Sequence, residues 1–69
     1  MKHTIKEWRV LRGMSQTDLA KAIGKTFVTI SKWEQGHTEP KMSDMDKLRK
    51  ALKLKASDSI ILPERSTLT

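Results

Sequence analysis

The sequence predicts an all-α domain built around a helix–turn–helix. Three observations predict it. Apolar residues recur at helical spacing along most of the chain, and no strand-like alternation persists. Hydroxyl residues are followed three places on by an acid, as in Thr4 with Glu7, Ser15 with Asp18 and Ser43 with Asp46, which is the spacing of a capping box. Glycines at positions 13, 24 and 36 close the segments so opened, in the manner of a C′ glycine.

The elements follow in order. A first helix starts at Thr4 and carries Ile5, Trp8, Leu11 and Arg12 at helical spacing, stopping at Gly13. A second opens at Ser15, buries Leu19, Ala20 and Ile23, and ends at Gly24. A third begins after Thr26, buries Ile30 and Trp33, and closes at Gly36. Pro40 biases its predecessor away from helical angles, so His37 to Pro40 is a loop. A fourth helix starts after Ser43 and carries Met45, Leu48, Ala51 and Leu52. Beyond Leu52 two readings stand. Ser57 opens a short fifth helix holding Ile60 and Ile61, or Ser59 to Leu62 runs extended and pairs with another chain. Pro63 ends either one. The domain is expected to span 1–62, with 63–69 a loose polar tail.

Composition narrows the function. A chain of 69 residues makes one domain, and domains of about 60 residues bury only about 60% of their unfolded surface. There are no cysteines, hence no disulfides and no thiolate metal site. The two histidines, His3 and His37, have no carboxylate at metal-ligand spacing and are expected to be exposed polar residues. No metal or cofactor is implied. Lysine and arginine number 14 against 8 acids, a formal charge of +6. That excess favours a polyanionic partner, of which the phosphate backbone is the commonest. No apolar run approaches the length of a membrane span, and the N-terminus has no apolar signal-peptide core. The expected location is the cytoplasm. No Gly-rich phosphate loop, nucleophile–His–acid set or apolar carboxylate pair is present, so catalysis is not expected.

The second and third helices are each too short to stand alone in water, and a tight turn between them leaves the outer face of the third free to enter a DNA major groove. If Ile30 and Trp33 face inward, Phe27, Val28 and Lys32 lie on other faces. Phe27 either folds back onto the domain or, with Val28, meets thymine methyl groups. Lys32, one turn on from Val28, is placed to donate to guanine O6 and N7. Gln16 and Thr26 stand at helix N-termini, where unpaired N–H groups and the dipole attract phosphate. Thr29 is suited to backbone or sugar contacts, and Ser31 to packing against the second helix. Lys41 and Ser43, at the opening of the fourth helix, are further phosphate candidates. Lys47, Arg49, Lys50, Lys53 and Lys55 form a solvated basic face. Arg9 and Glu34 are expected to form a partly buried pair locking the first helix to the third.

Ser15-Gln16-x-x-Leu19-Ala20-x-x-x-Gly24, followed by Thr26-x-x-Thr29-Ile30-Ser31-x-Trp33-Glu34-x-Gly36 and Pro40, closely resembles the helix–turn–helix of phage repressor and Cro-type regulators. This is the bacterial group called the xenobiotic-response-element family. Arg9, Gly13 and Met14 match its lead-in, and the likeness runs from Thr4 to Leu54. The resemblance implies a five-helix, lambda repressor-like DNA-binding domain whose second and third helices read DNA. It implies phosphate and base contacts from Gln16, Thr26, Phe27, Val28, Thr29 and Lys32, and the Arg9–Glu34 link. It also implies binding as a homodimer to near-palindromic operators with half-sites about one helical turn apart. The sequence departs from the pattern at Lys25, where a small apolar residue is usual, and at Val10 and Leu11, where polar residues are. Lys53 and Ser59 stand where a glycine and a leucine are expected.

The expected function is therefore a sequence-specific, double-stranded-DNA-binding transcriptional regulator that occupies an operator without a small-molecule ligand. The alternative is a DNA-binding antitoxin or antirepressor-like module, in which Val10, Leu11 and Ile60 to Leu62 meet a partner protein.

Overall fold

The computed structural model describes residues 1–63; the expected polar tail from position 64 onward lies outside the described residues. The element order is β1 (Lys2–Thr4), α1 (Ile5–Leu11), α2 (Gln16–Ile23), α3 (Phe27–Gln35), α4 (Met42–Ala51) and β2 (Ser59–Ile61). Four helices form among the described residues, not five, and a two-stranded parallel sheet joins the segments that precede and follow them. Its register pairs Lys2 with Ser59, His3 with Ile60 and Thr4 with Ile61.

The local chemistry explains why no fifth helix forms at Ser57. A capping box there needs an acid at position 60, where the chain has Ile60. Instead Asp58 turns backward, its carboxylate accepting from Lys55 N–H at 2.9 Å, and Asp58 N–H donates to Lys55 O at 2.9 Å. Arg49 ties the same turn, donating to Asp58 O at 3.0 Å and Lys55 O at 2.9 Å. The chain leaves this turn extended. Ile60 and Leu62 alternate inward against the core while Ile61 stays exposed, the two-residue period of a strand. The extended reading of this segment holds, but its partner is this chain's own N-terminus.

Nine residues make the buried core: Ile5, Trp8, Leu19, Ala20, Ile23, Ile30, Trp33, Leu48 and Leu52. Trp8 is its hub. Its indole N–H donates to Ser59 O at 2.8 Å, satisfying a polar group that burial would otherwise penalise. Arg12 lays its guanidinium 5.4 Å from the ring centroid and donates from Nε to Leu52 O at 2.6 Å. His3 meets the same ring edge-on, with centroids 4.9 Å apart. His3 is therefore half-buried rather than a surface residue, because pairing of β1 with β2 draws it onto Trp8. Leu11 shares a helix with Ile5 and Trp8 but is exposed; the inward arc of α1 is filled by Ile5, Trp8 and Arg9.

Thr4, Ser15 and Thr26 cap α1, α2 and α3 as their positions predict. The fourth cap is different. Lys41, not Ser43, is the N-cap of α4, and Asp44 reaches back to accept from Lys41 N–H at 3.0 Å. Asp44 is buried and also meets Lys25, with Nζ–Oδ1 at 3.7 Å. That pair fixes the frame two residues earlier than the Ser43–Asp46 spacing suggests, and Ser43 falls within the first turn of α4.

Candidate nucleic-acid interface

The α2–α3 unit is built from three local devices. Ser15 Oγ accepts from Asp18 N–H at 3.0 Å and Asp18 returns the bond to Ser15 N–H at 3.0 Å. Those bonds, the backbone one first, hold the Asp18 carboxyl below its ordinary range. Gly24 then takes φ 73°, ψ 32°, and Lys25 N–H closes the turn on Ala20 O at 2.9 Å. A Cβ at Gly24 would meet nothing within 4 Å, so only the left-handed backbone demands glycine, at about 1–2 kcal/mol for another residue. Finally Thr26 Oγ1 accepts from Thr29 N–H at 3.4 Å and starts α3.

With Ile30 and Trp33 inward, α3 turns Phe27, Val28 and Lys32 to solvent. Phe27 is 54% exposed and Val28 45%, so Phe27 does not fold back into the core. Thr29 is half-buried, and its hydroxyl lies 3.3 Å from that of Thr26. Ser31 is half-buried and accepts the Gln35 amide at 2.9 Å. Glu34 is the single acid of α3, and it points inward, its side chain 7% exposed. Arg9 Nε donates to Glu34 Oε2 at 2.8 Å and an Arg9 terminal N–H to Oε1 at 3.3 Å. Arg9 also donates to Met14 O at 2.9 Å. One guanidinium thus ties α1, the lead-in to α2, and α3. The outward face of α3 is left with hydroxyl, methyl, aromatic and ammonium groups and no carboxylate.

Gln16 opens α2, half-buried, and donates from Nε2 to Glu34 Oε1 at 3.0 Å. This contact joins two residues that the sequence marks for separate duties; their spacing across two helices carries no local signal. Lys41 and Ser43 are both exposed. The Lys25–Asp44 pair sets the first turn of α4, which Lys41 caps and which contains Ser43, beside the turn that precedes Thr26. Lys25, a departure from the expected pattern, has this tie as its structural duty.

A family model described as helix-turn-helix matches residues 5–58. The chain belongs to this family of DNA-binding transcription regulators, which is not a family of enzymes. No curated protein and no solved structure matches it. Among the described residues no helix is long and apolar enough to cross a membrane.

Proposed function

We propose that this protein is a sequence-specific regulator of the Cro and phage-repressor type, which occupies a double-stranded operator as a homodimer with α3 in the major groove. It acts in the cytoplasm and takes no small-molecule cofactor. The observation that carries this reading is the face of α3: Phe27, Val28 and Lys32 exposed, with the helix's one acid turned in and neutralised by Arg9. A surface of that kind suits an acidic groove whose floor carries thymine methyls and guanine acceptors. Gln16, Thr26, Thr29, Lys41 and Ser43 flank it as phosphate and sugar contacts, which set register without specifying sequence.

The test is selection of binding sites from random duplexes, followed by amide shift mapping on the selected operator. Amides 26–32 are expected to move most; a response confined to another surface overturns the reading. Lys32→Ala is expected to relax preference at one base pair per half-site. Replacing the thymines under Val28 by deoxyuridine should cost about 0.8 kcal/mol for each lost methyl contact.

A second reading, a module whose main partner is a protein, draws on Val10 and Leu11, which are 62% and 56% exposed and line an apolar groove with His3, Lys6 and Glu7. Ile60 and Leu62 pack against the core, so of the C-terminal apolar run only Ile61 is left for such a contact. Loss of operator binding without loss of a co-purifying protein would favour this reading.

A further inference from the structure

Helix α1 is apolar on two sides. Ile5 and Trp8 fill its inward arc, yet Val10 and Leu11 are 62% and 56% exposed. A helix with apolar groups all round is one that is covered all round, and no described element covers this side. His3, Lys6, Glu7, Val10 and Leu11 line a groove of about 350 Å³ there. Their spacing, i, i+3, i+4, i+7 and i+8, is that of a single helical stripe. Helix α1 meets α3 through Arg9, on the inward arc, so the groove opens on the other side of α1 from α3.

Charge identifies what fits it. The chain carries +6, so two copies repel wherever their basic faces meet. The hollow on α4 lined by Asp46, Arg49, Lys50 and Lys53 is such a face. The lining of the α1 groove differs: it holds one ammonium and one carboxylate, on adjacent residues. Lys6 is exposed and makes no ion pair among the described residues. Glu7 stays ionised at neutral pH, because Thr4 N–H donates to its Oε1 at 2.8 Å and holds the carboxyl below its ordinary range. A two-fold axis sets the same patch of two copies face to face. With the two α1 helices antiparallel, Lys6 meets the copy's Glu7 and Glu7 meets the copy's Lys6. That register also sets Val10 opposite the copy's His3, at the far end of the groove. One patch thus supplies both the apolar knob and the hollow that receives it.

We propose that the outward face of α1 is a self-association surface, on which a second copy of this chain docks antiparallel through Val10, Leu11 and two Lys6–Glu7 pairs. This deepens the homodimer part of the reading above by naming a surface for it, and rests on that part alone. The stripe has five residues, against about 20–30 a side in a stable interface, so the pair is transient.

Sedimentation equilibrium of the whole chain without DNA, up to about 1 mM, tests it. A reversible monomer–dimer equilibrium is expected. Val10→Asp and Lys6→Glu should each raise the dissociation constant more than about tenfold. Met42→Asp, at an apolar side chain 83% exposed on α4, should leave it unchanged. Lys6→Glu and Glu7→Lys should each be monomeric alone, and an equimolar mixture of the two should recover the dimer. A wild-type chain that stays monomeric overturns the proposal, as does a dimer that Val10→Asp and Lys6→Glu leave intact. A monomer whose Val10 methyls contact residues 64–69 also overturns it, since the chain would then cover its own groove. If Glu7→Lys, which loses the α1 capping acid, does not fold, Val10→Asp and Lys6→Glu decide. A monomer that still selects a duplex leaves the DNA-binding reading standing; a dimer that selects none removes that reading and supports this surface.

Discussion

At the scale of single residues, Arg9 carries more of the structure than any other polar side chain. It is buried in a domain with a small core, and every bond it makes crosses to another segment: Glu34 on α3 and the Met14 carbonyl before α2. Pairing two buried charges gains little over an apolar pair of the same volume, because desolvation offsets the attraction, whereas removing one partner strands the other. Arg9→Ala is therefore expected to cost about 3–5 kcal/mol. Total stability for a chain of this size is about 3–10 kcal/mol, so the loss is a large share of it. Urea unfolding followed by tryptophan fluorescence measures it. A loss under about 1 kcal/mol would mean that solvent reaches Glu34. The double replacement Arg9→Met with Glu34→Leu should recover most of the stability without recovering the hold on Gln16. The pair itself is legible in the sequence. The third partner is not, since nothing in the spacing of Gln16 and Glu34 distinguishes an amide that faces DNA from one that faces a carboxylate.

At the scale of elements, the helix starts are written in short-range chemistry and the sheet is not. Thr4–Glu7 and Ser15–Asp18 are capping boxes whose partners lie three residues apart, so the residues that make them are adjacent on the page. The fourth start misleads because two acids compete for it. Asp44 wins over Asp46 through its tertiary tie to Lys25, which no local pattern reveals. The strands β1 and β2 are three residues each, too short to show alternation, and they come from opposite ends of the chain. What selects the pairing is the buried indole of Trp8, which needs an acceptor and finds it at Ser59. The capping acids also set an acid limit on folding. Backbone N–H groups of Thr4 and Ser15 hold Glu7 and Asp18 below their ordinary range, and Lys55 N–H does the same for Asp58. A carboxyl lowered in the folded state stabilises the fold above its unfolded pKa, and that contribution disappears as pH falls through the folded value. Stability should therefore decline below about pH 4. Asp18→Asn is expected to lower stability at neutral pH and to make the decline between pH 5 and pH 2 shallower. An unchanged acid limb in urea titrations across that range would show that the α2 cap is not contributing.

At the scale of the whole molecule, the distribution of charge matters more than its sum. Five of the eight acids, Glu7, Asp18, Glu34, Asp44 and Asp58, are engaged by backbone N–H groups or by Arg9, Lys25 and the N-terminal amine. Every lysine is exposed, all ten lying among the described residues, and the chain carries a formal excess of +6. On DNA that excess acts by releasing condensed counterions, so affinity should fall steeply with salt, each neutralised phosphate adding about −0.9 to the log–log slope. The slope sorts the lysines by role. Lys41, exposed at the N-cap of α4 beside the α2–α3 turn, should behave as a phosphate contact. Lys41→Ala is expected to weaken binding to selected and random duplexes alike and to flatten the slope by about 0.9. Lys50, near the far end of α4, belongs to the solvated face; Lys50→Ala should leave slope and affinity close to wild type. Titration of both variants against one duplex from 50 to 300 mM salt separates these outcomes. A Lys41→Ala loss confined to the selected sequence would make Lys41 a base contact, and a slope change for Lys50→Ala equal to that for Lys41→Ala would mean the positive field acts as a whole, without a phosphate site at α4.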